Sequence, residues 1–229
     1  MKIPPVALTV RGAKDNFASA LLQCEKQKKI PPNYVNHNAI KCLPYDLGKE
    51  GEIKPQDTGL IADNIRHALR TSEGLVFVDA VTCGQSLALL NRYKVSWNIT
   101  DDIVEKFYAV VYDKRNPQKV ELIQNIEEAL RLQEQYERAE RFIYITKAGY
   151  AGDFLMSLSK NKKVLDVELP ELNSIVEIDP KNAETYIKSK LVSGKKVFVD
   201  QTLLISQPAL VLMLKSLPTV PKSRLVIIH

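Results

Sequence analysis

Three aspartates stand where an α/β protein keeps its chemistry. Asp79, Asp113 and Asp200 each follow a short apolar run: Leu75-Val76-Phe77-Val78, Tyr108-Ala109-Val110-Val111-Tyr112 and Val197-Phe198-Val199. If these runs are parallel strands, the three carboxylates emerge at the carboxyl edge of a sheet, where open α/β folds bind ligands. Neighbouring carboxylates there could act as acid and base or hold Mg²⁺. The alternative is structural, because Asp also caps the turn or helix that follows a strand. Lys147-Ala148-Gly149-Tyr150-Ala151-Gly152-Asp153 lies between a strand-like and a helix-like run. That is the setting of a phosphate loop, with Lys147, Gly149 and Gly152 as candidate cofactor-binding residues. The segment is neither a Walker A nor a GxGxxG sequence, and Asp153 near the helix start disfavours an anion, so a tight turn is the competing reading. Cys83 sits where a helix N-terminus would lower its pKa, but no histidine is near in sequence to act as a base.

The elements around these residues alternate. Val6–Val10 reads as a strand, followed by a helix that Asp15 caps and by a long polar loop over 31–57 with room for one short strand. Asp57 or Thr58 caps a second helix with the stripe Ile61, Ile65, Ala68 and Leu69. A turn follows Asp79, then a helix from Ser86 to Tyr93. The periodicity predicts one long helix over 118–141, carrying the pairs Glu127–Arg131, Glu134–Arg138 and Glu137–Arg141. Phe142–Ile145 is a strand and Asp153–Lys160 a helix. Val164–Leu169 alternates like a half-exposed strand. Asp179-Pro180 opens a helix that Gly194 follows, Pro208–Lys215 is helical, and Leu225–Ile228 is a final strand. Unbroken apolar runs suit strands buried on both faces. The expectation is a mainly parallel sheet flanked by helices, a three-layer α/β fold of the Rossmann or flavodoxin kind, in two similar halves, 1–115 and 116–229, separate or continuous in one domain. The tetrapeptides Val76–Asp79 and Val197–Asp200 are identical in sequence. They reflect either a duplicated unit or two buried strands converging on the same solution.

Composition narrows the classes. The 229 residues are 45% hydrophobic and 26% charged, which excludes disorder; 9 Gly and 12 Pro exclude collagen-like repeats. Three cysteines exclude a disulfide framework and, with the histidines, give no zinc spacing, so no metal and no cofactor is predicted. The net charge of +5 is split almost evenly between the halves, +3 and +2. The lysine clusters at 26–29, 160–163 and 195–196 fall at helix ends or strand starts, so a nucleic-acid partner is disfavoured. No apolar run approaches a bilayer span and no secretory signal opens the chain, which predicts a cytoplasmic protein.

Two resemblances bear on function. Val78-Asp79-Ala80-Val81-Thr82-Cys83-Gly84 resembles the ribose-phosphate loop of phosphoribosyltransferases, with Ala80 in place of the second acid. Residues 6–92 resemble a TIR domain. Val6–Val10 with Arg11-Gly12-Ala13-Lys14-Asp15-Asn16-Phe17 is similar to that family's opening strand, loop and helix. Ile65-Arg66-His67-Ala68-Leu69-Arg70-Thr71-Ser72 and the run to Asp79 resemble its second helix and fourth strand. The resemblance implies that 31–57 is the BB-loop region, which mediates assembly. Enzymatic members carry Ser-x-Trp-Cys-x-x-Glu on the next helix. Here Leu87 stands at the Trp and Asn91 at the Glu, and an amide cannot supply the carboxylate. The expectation is therefore a non-catalytic adaptor or structural subunit of a larger protein assembly. The alternative is an enzyme acting on a nucleotide or phosphorylated small molecule, NAD-hydrolase-like or phosphoribosyl-transfer-like; a nucleic-acid-binding protein is the third choice.

Overall fold

The structure, a computed structural model, describes residues 3–48, 51–165, 169–216 and 224–229. It is α/β, with mostly parallel sheets flanked by helices, and divides into two compact units, Met1–Glu137 and Arg138–His229.

In the first unit, β1 (Val6–Arg11), β2 (Ile40–Asp46), β3 (Val76–Asp79), β4 (Phe107–Asp113) and β5 (Asn116–Ile123) form a sheet in the order β2-β1-β3-β4-β5. The first four are mutually parallel and β5 returns antiparallel to β4. Residue alternation sorts the side chains. Val76 and Val78 join the core under α2 (Thr58–Thr71), α3 (Ala80–Tyr93) and α5 (Ile126–Arg141), while Phe77 joins the core under α1 (Lys14–Lys26). A one-turn helix, α4 (Asp101–Val104), precedes β4.

The second unit repeats the plan. Strands β6 (Phe142–Lys147), β7 (Val176–Ile178), β8 (Lys196–Asp200) and β9 (Leu225–Ile228) are parallel, in the order β7-β6-β8-β9. Val197 and Val199 pack under α7 (Pro180–Val192), α8 (Gln201–Ser206) and α9 (Pro208–Ser216), and Phe198 under α6 (Ala151–Leu165). Strand order, helix placement and the Val-Phe-Val alternation all coincide between the units.

Several sequence expectations change. The units divide at 137/138 rather than 115/116, because β5 pairs with β4 and α5 lays Ile126 and Ala129 on the first unit's core. The long helix over 118–141 is a strand followed by a helix. Asp113 and Asn116 close a hairpin, and β5 satisfies the open edge of β4. Asp15 lies in the first turn of α1, whose N-cap is Ala13. No turn follows Asp79, since α3 starts at Ala80 and takes in the phosphoribosyltransferase-like segment as its first turn. Val164 and Leu165 end α6 rather than begin a strand, and 166–168 lie outside the described residues. The strand of that region is β7.

β3 ends at Asp79, which pairs with Val110, so β4 runs on beyond its partner. There the buried Gln133 of α5 stands in for a strand: its Oε1 accepts from Tyr112 N (3.3 Å) and its Nε2 donates to Tyr112 O (3.4 Å). Gln133→Leu strips both partners from a buried peptide group and should lower the unfolding free energy by about 2 kcal/mol, read by urea denaturation.

Candidate functional site

Between β1 and β3 the strand order reverses, and the crevice beyond their carboxyl ends is where such sheets bind ligands. Here that place is filled from inside. Register sets Leu8 beside Val78, so Thr9 lies beside Asp79. Asp79 Oδ2 accepts from Thr9 Oγ1 (2.7 Å) and Thr82 Oγ1 (2.9 Å), and its Oδ1 caps α3 by accepting from Val81 N (3.1 Å). Asp79, Thr9 and Cys83 have no solvent exposure. Burial pushes the Asp79 carboxyl up, against the lowering pull of the two threonine hydroxyls and the α3 amides. Burial, and then the Asp79 charge, also raise the Cys83 thiol, opposite to the expected lowering at a helix start. The Tyr112 hydroxyl is buried without a hydrogen-bond partner; burial and the nearby Asp79 charge keep it protonated, although the two side chains do not reach hydrogen-bond geometry.

Unit two builds the same clamp. Asp200 Oδ2 accepts from Thr146 Oγ1 (2.5 Å) and Thr202 Oγ1 (2.6 Å), and its Oδ1 caps α8 through Thr202 N (3.2 Å). Thr146 follows Ile145, the partner of Val199, as Thr9 follows Leu8. These threonines escaped the sequence reading. Their signal was present in the Thr within each unit's first strand and in Asp79-x-x-Thr82 and Asp200-x-Thr202.

The three aspartates therefore form no common site. Asp200 belongs to a different sheet from Asp79 and Asp113. Asp79 and Asp113 end adjacent strands, but Asp113 lies three residues beyond Val110, the partner of Asp79, and past a register shift in β4. Arg115 holds Asp113 in a fork: Nε donates to Oδ1 (3.0 Å), Nη2 to Oδ2 (2.9 Å), and the Arg115 amide also donates to Oδ1 (2.9 Å). Burial pushes this carboxyl up, but the Arg115 hydrogen bonds and charge outweigh it and leave it below the usual range. Among the described residues no group of three or more His, Cys, Asp and Glu is placed to hold a metal ion.

The 147–153 loop does bind an anion, and the anion is the protein's own. Glu177 Oε1 accepts from Gly149 N (3.0 Å) and Ala151 N (3.1 Å), which occupies the amides a phosphate would use. Gly149 takes φ 83°, the left-handed conformation that this turn needs. Gly152 has open space around it, and the Lys147 ammonium lies over the Tyr150 ring, 5.5 Å from its centroid. The cavity beside this loop, about 720 Å³, is lined by two carboxylates, Glu171 and Glu177, which disfavour a phosphorylated ligand. Other candidates are similarly engaged. Asn91 Nδ2 donates to Glu127 Oε1 (3.3 Å), Lys29 pairs with Glu121 (2.7 Å), and Lys195 donates to Glu140 O (2.8 Å).

A residue whose folded pKa is raised adds stability below its unfolded pKa and loses it as pH rises through the folded value; Asp79 is of this kind, and Asp113, with a depressed pKa, is the reverse. Asp79→Ala leaves three buried donors without an acceptor and should cost about 2–4 kcal/mol. Asp79→Asn keeps an acceptor for Val81 N and removes the ionisation. Its deficit against the parent should be largest near pH 4 and shrink as pH rises, in denaturation curves taken from pH 4 to 9. A deficit that grew with pH would mean that the buried carboxylate is held as a favourable anion.

No protein-family model matches this chain, and neither a curated protein nor a solved structure matches it.

Proposed function

We propose that the protein is a non-catalytic adaptor, or structural subunit, of a larger protein assembly. The observation that carries this reading is the inward use of the strand-end aspartates. At the switch point of each sheet, the residue best placed for chemistry has both carboxylate oxygens bonded to its own strand-end and helix-start neighbours. A general base or metal ligand needs an accessible lone pair, and Asp79 offers none. The resemblance of 6–92 to TIR domains points the same way and suggests an assembly surface over 31–57. That stretch contains β2, the edge strand of its sheet, with Lys41, Cys42 and Pro44 exposed. An edge strand is a natural place for a partner chain to add, and Pro44 limits how far such pairing can run.

Among the described residues no helix is long and apolar enough to cross a membrane.

The test has two arms. The tagged chain should co-purify with a defined protein partner from its source cell, and Arg11→Glu with Lys41→Glu beside β2 should weaken that association without changing the melting temperature by more than a few degrees. A melting-temperature panel with NAD, ATP, 5-phosphoribosyl pyrophosphate and Mg²⁺ should show no rise. A rise of several degrees with any of them, abolished in Asp79→Asn, would overturn the adaptor reading in favour of an enzyme at the carboxyl edge.

A further inference from the structure

The α1 face of the first unit is covered unevenly. One helix serves five strands, and its end is drawn toward β5: Gln23 Nε2 donates to Gln118 Oε1 (2.7 Å), Gln27 Nε2 to Gln118 O (2.8 Å), and Lys29 Nζ to Val120 O. The amino ends of β3 and β4 are left to the chain that follows α1. A groove of about 820 Å³ opens there, within the size range of small-molecule sites. Its floor is Leu75, Phe77 and Tyr108 with Leu122 of β5, and Ile30, Pro31 and Tyr34 form one wall.

Three features define what fits. The first is aromatic. Phe77 is fully buried, with Tyr34 edge-on (6.4 Å between centroids) and Tyr108 stacked (5.8 Å). Tyr108 is half-buried and has no second ring partner among the described residues, so a flat ring can extend the stack. The second is charge. The mouth carries Lys29, Lys106, Glu73 and Glu121, two of each sign. Lys29 and Glu121 close on each other at 2.7 Å, and Lys106 Nζ donates to Ser72 O at 2.9 Å. A polyanion gains nothing at such a rim, and neither does a cation. The third is hydrogen bonding. The Tyr34 and Tyr108 hydroxyls make no bond to any described residue, which leaves two polar handles on an otherwise apolar lining.

We propose that this groove is a binding site for an uncharged, flat aromatic small molecule with a polar edge, stacked on Tyr108. The site lies at the opposite end of β3 from Asp79 and does not depend on the adaptor reading.

One ring in three charge states tests it: 2-naphthamide, 2-naphthoate and 2-naphthylmethylammonium, titrated into the full chain and followed by backbone amide shifts. The neutral amide should bind saturably, one per chain, and shift the amides of Ile30, Asn33, Tyr34, 74–77 and 106–108. It should bind at least about fivefold more tightly than either charged analogue. Leu122→Trp, which fills the groove from β5, should abolish binding while the amide spectrum elsewhere is unchanged. Tyr108→Leu should weaken it by about tenfold, the scale of an aromatic stacking pair. Preference for a charged analogue, shifts centred outside the groove, or no saturable binding would each overturn the proposal.

Discussion

The constraint on which both units depend is a buried carboxylate at the end of a central strand. Asp79 ties Thr9 of β1, 70 residues away in sequence, to its own strand β3 and the first turn of α3. A buried carboxylate is tolerable only when donors replace its hydration, so the clamp fixes the register of β1 against β3 and the point where α3 begins. The consequence propagates. In the register so fixed, Val76 and Val78 pack with the helices α2 and α3, and Phe77 packs with α1. A slip of one residue would exchange every one of these faces. Unit two meets the same constraint with Asp200, Thr146 and Thr202, and arrives at the same strand order. The two sheets agree in the order of their first four strands, in alternation and in an internal three-residue clamp, so the repeated Val-Phe-Val-Asp plays the same structural part in both.

The clamp also explains how loop chemistry differs from what loop position suggests. In unit two the amides of Gly149 and Ala151 converge as they would on a phosphate, but β7 brings Glu177 to them. In unit one, β2 likewise delivers an acid to the first strand's loop, where Asp46 lies 3.6 Å from Arg11 on an exposed surface. In both cases a carboxylate from the second strand answers the donors of the first loop. An exposed pair of this kind contributes little to stability, yet it sets which charges a ligand would meet.

Much of the fold was legible in the residues. The apolar runs before Asp79, Asp113 and Asp200 are strands because Val, Phe and Tyr pack well on both faces of a parallel sheet. Asp179-Pro180 opens α7 as its types require, with Asp179 Oδ1 accepting from Lys181 N at 2.9 Å. The long helix over 118–141 failed for a reason that sequence carries poorly. Ile123, Ile126 and Leu130 lie at helical spacing, but the free edge of β4 is a non-local demand, and pairing with it takes 116–123 into β5. Of the alternating stretch Val164–Leu169, Val164 and Leu165 instead end α6, and 166–168 lie outside the described residues. The candidate aspartates were correctly placed at strand ends; which way each one turned depended on partners such as Thr9 and Arg115 that only the sheet order brings close or excludes. The Tyr34–Phe77–Tyr108 groove had no sequence signal, since its floor and wall come from four separate stretches of chain.

A perturbed pKa at a strand end is a common mark of catalysis, so the Asp79 shift needs a cause before it needs a role. Catalytic carboxylates are perturbed while keeping a lone pair aimed at substrate space. Asp79 has burial as its leading cause and its oxygens bonded to Thr9, Thr82 and Val81. The same protein contains the opposite case in Asp113, depressed by a fork from Arg115 and equally engaged. Two carboxylates shifted in opposite directions could suggest an acid and a base, but that division of labour requires both to face one substrate. These two are instead bonded to separate neighbours within the protein, Asp79 to Thr9, Thr82 and Val81 and Asp113 to Arg115. Each shift is therefore the electrostatic trace of how a sheet end is closed. The space the fold leaves open lies at the other end of β3, where aromatic faces and a charge-balanced rim favour binding over proton transfer.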